Sequence, residues 1–131
     1  MKMDKLILKM DKACQELDAR YMSIQTKAKQ IEMHNLALEI LRGFNRDDDI
    51  ILAQINQHEE SIRKLKSEIC VANLEFVEDL MLLDDYDAID IMRMRYVDYL
   101  PWEKIAEKKK RSTRWTQTIR NRALRQIVQS K

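Results

Sequence analysis

Glycine and proline are nearly absent from this chain, which has one of each among its 131 residues. Tight hairpin turns depend on these two residue types, so a fold rich in β-hairpins is excluded. Strong helix formers such as Leu, Met, Glu and Lys dominate instead, and 35% of the residues are charged. We therefore predict an all-α protein, either one domain of ordinary size or a small domain with an oligomerising arm.

Cysteine is also scarce, because Cys14 and Cys70 stand alone without a CxxC pair or a Cys/His cluster. A zinc site is therefore not predicted, and both thiols are expected to be reduced in a cytoplasmic protein. No apolar run approaches the roughly 18 residues of a membrane span. The N-terminal stretch contains acidic residues and lacks a small-residue cleavage site, so we predict neither a signal peptide nor a membrane partner.

The usual signatures of enzymes are missing as well. The sequence contains no Gly-rich phosphate loop, no nucleophile with a plausible base, and no constellation of metal ligands. We therefore predict a protein that is not an enzyme and that uses no cofactor.

Residues 1–83 are predicted to form a long antiparallel helical hairpin, a coiled-coil arm. Apolar residues from Met3 to Leu41 recur at steps of three and four, which indicates a helix of about 40 residues with one possible break near Tyr21. Gly43 suits a left-handed position just after this helix. Because a two-helix seam buries little area, we expect the hairpin to pack on the downstream helices or on a second copy of the chain.

The second helix of the hairpin is predicted to start at Asn45, a good N-cap residue, with Asp47, Asp48 and Asp49 in its first turn. From Ile55 to Phe76 its apolar residues alternate at three and four, as in a coiled-coil seam.

Two histidines interrupt the apolar stripes of the hairpin. His34 lies in the first helix and His58 occupies a seam position in the second. A metal or pH-sensitive site between the helices is one interpretation. Polar seam residues also fix the register of a coiled coil, and no third ligand is suitably spaced, so we favour the register interpretation.

Charge is distributed unevenly between the two ends of the chain. Residues 100–131 contain ten Lys and Arg against two acids, a net charge of +8, whereas residues 1–99 contain fourteen against twenty, a net charge of −6. A basic C-terminal segment of this kind indicates a nucleic-acid-binding surface.

Residues 84–131 are predicted to form a second domain of three helices. Asp84–Asp87 resemble the cap of a short helix, Pro101 presets the start of the next, and Ser112 is placed to cap the last. In this last helix the buried side is predicted at Thr116, Ile119, Ala123 and Ile127. The layout is that of a helix-turn-helix, whose final helix can enter a DNA major groove.

The spacing leaves the opposite side of the last helix exposed. It displays residue types that read bases, since Arg pairs with guanine and Gln or Asn with adenine. These residues are Arg114, Gln117, Thr118, Asn121 and Arg125. The preceding basic run comprises Lys108, Lys109, Lys110 and Arg111 and is predicted to lie near the DNA backbone. Trp115 is predicted to be a half-exposed packing residue, with contact to DNA or to a partner as the alternative.

This segment resembles the fourth conserved region of bacterial sigma factors of the sigma-70 class. The matching positions are Met94-Arg95-Tyr96-Val97, Leu100, Glu103, Ile105-Ala106-Glu107, Ser112, Arg122 and Ala123. The W-E-x-I-A version beside a helical hairpin is more similar to small phage and prophage transcription regulators of the ArpU/RinA-like group. The resemblance implies DNA contacts at Thr113, Arg114, Gln117 and Thr118, and RNA polymerase as a further partner.

Three residues depart from the family pattern. Tyr99 and Lys110 stand where the family has turn glycines, and Lys109 replaces a core leucine. A non-glycine residue in a left-handed turn costs on the order of 1 kcal/mol, so we expect a central turn that is less regular or less stable. Lys109 is expected to bury only its methylene stem.

The leading hypothesis is a sequence-specific protein that binds double-stranded DNA, a phage-type transcription regulator whose hairpin oligomerises or holds a partner. Its proposed DNA-contacting residues are Lys108, Lys110, Arg111, Thr113, Arg114, Gln117, Thr118, Asn121 and Arg125. Two alternatives remain open. One is an assembly protein similar to the small subunit of phage DNA packaging, and the other is a helical protein-interaction module.

Overall fold

The computed structural model describes residues 2–44 and 47–131, and over these residues the protein is all-α, as predicted. The helices in the described residues are α1 (Lys2–Arg42), α2 (Asp49–Leu80), α3 (Tyr86–Tyr96), α4 (Trp102–Lys109) and α5 (Thr113–Ser130). Within this part of the chain no helix combines the length and the apolar character that a membrane crossing requires.

Helix α1 is continuous over 41 residues, including the region around Tyr21 where a break was possible. The predicted left-handed conformation of Gly43 is wrong, because this residue does not have a positive φ. Instead the Gly43 N–H donates to the Ile40 carbonyl over 3.2 Å, and the Phe44 N–H donates to the Leu41 carbonyl over 3.1 Å. Such bonds to the third residue back tighten the last turn of a helix, and they do not require a positive φ.

Helix α2 begins at Asp49, later than the sequence predicts. Asp48 acts at its start, since its side-chain Oδ1 accepts from the Ile50 N–H over 2.8 Å and its carbonyl accepts from the Leu52 N–H over 3.0 Å. Asp47 and Asp48 therefore precede the first turn that they were predicted to occupy. Asn45, the predicted cap, lies outside the described residues.

The contacts divide the chain into two compact units, one containing Arg20–Ala72 and the other the residues up to Ala19 together with Asn73–Lys131. In Arg20–Ala72 the two helices pack antiparallel around Leu38, Ile55 and Ile62, with partly buried apolar neighbours from both helices. The predicted boundary between residues 83 and 84 stays a prediction about which parts of the chain fold independently.

His34 and His58 meet within the Arg20–Ala72 unit. Their Nδ1 atoms lie 2.8 Å apart in a part-buried hydrogen bond, and the ring centroids are separated by 5.1 Å. In residues 2–44 and 47–131 no group of three or more His, Cys, Asp or Glu side chains is arranged to hold a metal ion. The pairing is consistent with the interpretation that these histidines fix the register of the two helices.

In the other unit α3 packs across both α4 and α5. The centre of this packing consists of fully or almost fully buried side chains from all three helices, namely Ala88, Ile91, Met92, Tyr96, Ile105, Ala106, Thr116, Ile119, Ala123 and Leu124. The Tyr96 ring stacks on Phe76 of α2 at a centroid distance of 5.6 Å. Helices α3 and α4 therefore pack on one side of α5 and fix its position, and the other side of α5 remains outside this core.

Candidate nucleic-acid interface

The turn that leads into α5 is a regular one. Lys110 adopts the left-handed conformation with φ 56° and ψ 42°. Its N–H donates to the Glu107 carbonyl over 3.1 Å, and the Arg111 N–H donates to the Ala106 carbonyl over 3.0 Å. These two bonds define a Schellman motif, which ends α4 sharply. The expectation of a less regular turn is therefore wrong, although the backbone strain of a non-glycine residue at Lys110 is present as predicted.

Ser112 caps α5 as predicted, because its hydroxyl oxygen accepts from the Trp115 N–H over 3.1 Å. Below the cap the predicted buried side is also confirmed, with Thr116, Ile119, Ala123 and Ile127 all buried. The hydroxyl of the fully buried Thr116 donates to the Thr113 carbonyl over 2.5 Å, so this polar group is satisfied inside the core.

The opposite face of α5, which we call the exposed face, has the composition predicted from spacing. Arg114, Thr118, Asn121 and Arg125 are exposed and Gln117 is half-buried. The Thr118 hydroxyl donates to the Arg114 carbonyl over 3.1 Å, which leaves its oxygen free to accept. Thr113, at the edge of this face, is exposed in the first turn of the helix.

The second half of the exposed face borders the first turns of α1. Asn121 and Arg125 line one wall of a cleft of about 260 Å³, and the apolar residues Met3, Ile7 and Met10 contribute to the other. Arg114, Gln117 and Thr118 are not among the residues that line this cleft. The second half of the face therefore borders α1, whereas the first half lies outside this cleft. The sequence did not predict this difference because α1 and α5 lie at opposite ends of the chain.

Of the four residues in the basic run, Lys109 is directed towards α3. Its Nζ forms ion pairs with Asp90 and, over 3.4 Å, with Asp87, both on α3, and its side chain retains only 16% exposure. The hydrogen bond that the Lys109 ammonium group donates to Asp90 is the main cause of its raised pKa. This arrangement fits the expectation that only the stem of Lys109 is buried, and its charge is already neutralised by protein.

Lys108, Lys110 and Arg111 are exposed. The Arg111 guanidinium lies over the ring of Trp115 with a distance of 5.1 Å to the ring centroid, which is within the range of a cation–π interaction. Trp115 is half-buried, as predicted, and holds Arg111 beside the first turn of α5. Three cations thus surround the entry to the exposed face.

Arg120 is a structural residue that the sequence interpretation missed. Although it lies on the basic helix α5, its guanidinium points inward and retains 13% exposure. It donates from Nε to the Tyr96 hydroxyl over 3.0 Å and from Nη2 to the Cys14 sulfur over 2.6 Å, and it pairs with Asp18 at 3.5 Å. A signal was available, since Arg120 follows buried Thr116 by four residues and precedes buried Ala123 by three.

Burial influences the ionisation of this cluster. Burial is the first cause of a raised pKa for the Tyr96 hydroxyl, and the hydrogen bond from Arg120 opposes that shift. For Arg120 burial lowers the pKa, but hydrogen bonds to Tyr96 and Cys14 outweigh it, so the net pKa is raised. A neutral phenol therefore accepts from a charged guanidinium at neutral pH.

Comparison with known proteins gives no match to a protein-family model, to a curated protein or to a solved structure.

Proposed function

We propose that this protein binds double-stranded DNA and reads its sequence in the major groove with the first half of the exposed face of α5. The observation that carries this proposal is the different burial of two arginines on α5. Arg120 is buried against Tyr96 and Cys14, whereas Arg114 is exposed beside Gln117 and Thr118. Arg, Gln and Thr are side chains that bind base edges in the major groove.

Phosphate binding is the second part of the proposal. Lys108, Lys110 and Arg111 are exposed at the turn before α5, where the DNA backbone passes when the following helix enters the groove. Lys109 is excluded from this role because its ammonium group is paired with Asp87 and Asp90. The proposal therefore assigns about three phosphate contacts to the turn.

A titration of labelled random-sequence duplex with the full chain tests the phosphate contacts. Three contacts predict that affinity falls about 40-fold between about 50 and about 200 mM salt, because each neutralised phosphate releases counterions. Lys108→Gln should lower the slope by about 1, and Lys109→Gln should leave it unchanged. The absence of binding even at the lower salt would contradict the proposal and favour a protein-interaction module.

We further propose that the protein regulates transcription in the cytoplasm, in the manner of the small phage and prophage regulators that residues 94–123 resemble. Three observations support this extension of the proposal. They are the order of the helices, the cap that Ser112 provides for α5, and the left-handed conformation of Tyr99 and Lys110, where the family pattern has glycines. The resemblance makes RNA polymerase a proposed partner. Co-purification of the polymerase with tagged full-length protein, on a promoter fragment, tests this extension, and failure to recover it would leave DNA binding alone.

A further inference from the structure

Helix α1 carries a second apolar stripe that the helical hairpin does not use. Within the Arg20–Ala72 unit, the residues Met33, Leu36 and Ile40 are 58%, 48% and 58% exposed. Phe44, just beyond the end of the helix, is 62% exposed. A continuous patch of exposed apolar side chains is often a binding surface.

This stripe follows the spacing of a coiled coil. Met22, Thr26, Lys29, Met33, Leu36 and Ile40 succeed one another at alternating steps of four and three. We call these six residues the outer seam. Met33 lies two residues after Ile31 of the hairpin core, and Ile40 two residues after Leu38. Two residues correspond to about 200° around a helix, so the outer seam points away from α2.

From this pattern we infer that the outer seam is a dimerisation surface, on which α1 of a second copy of this chain packs in parallel. In the heptad Met33 and Ile40 occupy the a positions and Leu36 the d position. An Ile at a with a Leu at d, as in Ile40 and Leu36, favours two strands when the helices are parallel. Thr26 and Lys29 are polar, so the apolar centre is confined to Met33, Leu36 and Ile40, with Phe44 at its end.

Charge at the margins of the outer seam also favours the parallel arrangement. Glu32 and Glu39 are both exposed and occupy successive g positions beside the seam. In an antiparallel pair g positions face one another, which would place these glutamates against the glutamates of the second copy. In a parallel pair g faces e, so Glu32 meets Ala37 and no like charges are opposed.

The area involved indicates a weak dimer. Four large apolar side chains that are about half exposed contribute on the order of 400 Å² per copy, about half of what a standard interface buries on each partner. We therefore expect a dissociation constant on the order of micromolar rather than nanomolar. This inference does not rest on DNA binding, and each can fail without the other.

Sedimentation equilibrium of the full chain over a concentration range that brackets the micromolar region tests the inference. The average mass should rise from 15.7 kDa towards twice that value. Leu36→Glu and Ile40→Glu should each weaken dimerisation by about 100-fold or more, because each introduces a charge into the centre of the seam. Leu52→Glu is the matched control, since Leu52 is 44% exposed in the same unit but lies on α2, and it should have no effect.

Circular dichroism of each variant establishes that its helices remain. A monomer at every concentration overturns the inference, as does a dimer that Leu36→Glu and Ile40→Glu leave intact. Rings of eight or more copies would also overturn it and would favour the packaging-type assembly.

Cysteine crosslinking tests the orientation independently of these charged variants. In a background with Cys14→Ser and Cys70→Ser, Met33→Cys alone should form a disulfide-linked dimer, because equivalent a positions face each other in a parallel coil. Crosslinking only between a copy with Met33→Cys and a copy with Leu36→Cys would overturn the parallel arrangement, because a positions face d positions in an antiparallel coil.

Discussion

The Arg120 guanidinium donates from Nε to the Tyr96 phenolic oxygen over 3.0 Å, and this bond connects α5 to α3 inside the three-helix packing. The same guanidinium reaches Cys14 near the start of the chain and lies 5.8 Å from the centroid of the Trp102 ring on α4. One residue of the basic helix thus contacts three other helices. Arg114, on the same helix, is exposed instead.

Replacing Arg120 should therefore reduce stability. Arg120→Met removes a charged donor from Tyr96 and Cys14, and we expect the free energy of unfolding to fall by about 2–3 kcal/mol. Urea denaturation followed by circular dichroism measures this change. Arg114→Met is the control on the same helix, and because Arg114 is exposed it should change stability by less than about 0.5 kcal/mol. Equal losses in the two variants would contradict the assignment.

The buried Tyr96 predicts a loss of stability at alkaline pH. Its pKa is raised in the folded protein, first by burial, above the ordinary value of about 10. The folded state binds this proton more tightly than the unfolded state does. The protonated Tyr96 hydroxyl therefore contributes its full stabilisation of the folded state below about pH 10, and this stabilisation is lost as pH rises through the higher folded pKa. The pKa of Lys109 is raised as well, so it acts in the same direction.

Ultraviolet absorbance of tyrosinate separates the two groups, because lysine does not contribute to it. Tyr96 should ionise later than an ordinary tyrosine, and Tyr96→Phe should remove that late step. Tyr86→Phe is the control, since Tyr86 is 77% exposed, and it should leave the late step in place. A late step that survives Tyr96→Phe would show that burial of Tyr96 is not its cause.

The left-handed turn at Lys110 predicts a stabilising substitution. Lys110→Gly relieves the positive φ of 56° and should raise the free energy of unfolding by about 1 kcal/mol. It should also lower the salt slope of DNA binding by about 1, because a proposed phosphate contact is lost. Both effects are measured on the same protein, by urea denaturation and by the salt titration.

Tyr99 provides the matched control for this substitution. Its φ is 60°, but its hydroxyl donates to Asn73 Oδ1 over 2.6 Å. Tyr99→Gly removes this hydrogen bond together with the strain, so we expect it to destabilise the protein. If Lys110→Gly were destabilising too, the account of the turn would be wrong.

The histidine pair predicts coupling between two substitutions. In His34→Leu or His58→Leu the remaining part-buried imidazole loses the 2.8 Å hydrogen bond from its partner. The double variant leaves no such group, so its loss of stability should be smaller than the sum of the two single losses by about 1 kcal/mol. Strict additivity in urea denaturation would indicate that the hydrogen bond contributes nothing to the packing of α1 on α2.

Periodic features of the protein were predictable from the sequence. The spacing from Thr116 to Ile127 identified the buried side of α5, because residues three and four apart share one face of a helix. Ser112 was predictable as a cap because its hydroxyl can reach the N–H of the third residue after it. Both features depend only on neighbours within one or two turns.

Features that depend on distant residues were not predictable. The contact between Arg120 and Cys14 joins residues 106 positions apart, and no local pattern marks it. The contact of α1 with the Asn121–Arg125 half of the exposed face was not predictable for the same reason, because its residues are also far apart in the sequence. The predicted conformation of Gly43 was wrong for a different reason. A helix can end either with a left-handed residue or with a tightened last turn, and the composition of the sequence does not distinguish the two.

The most direct test of DNA-sequence recognition is the specificity ratio. This ratio is the affinity for a site selected from a random DNA pool divided by the affinity for a scrambled site. Arg114→Ala should reduce this ratio about 10- to 100-fold, as the loss of a bidentate base contact does. Lys108→Ala should weaken binding to both duplexes equally and leave the ratio unchanged. A ratio that Arg114→Ala does not alter would contradict the claim that the first half of the exposed face of α5 reads DNA.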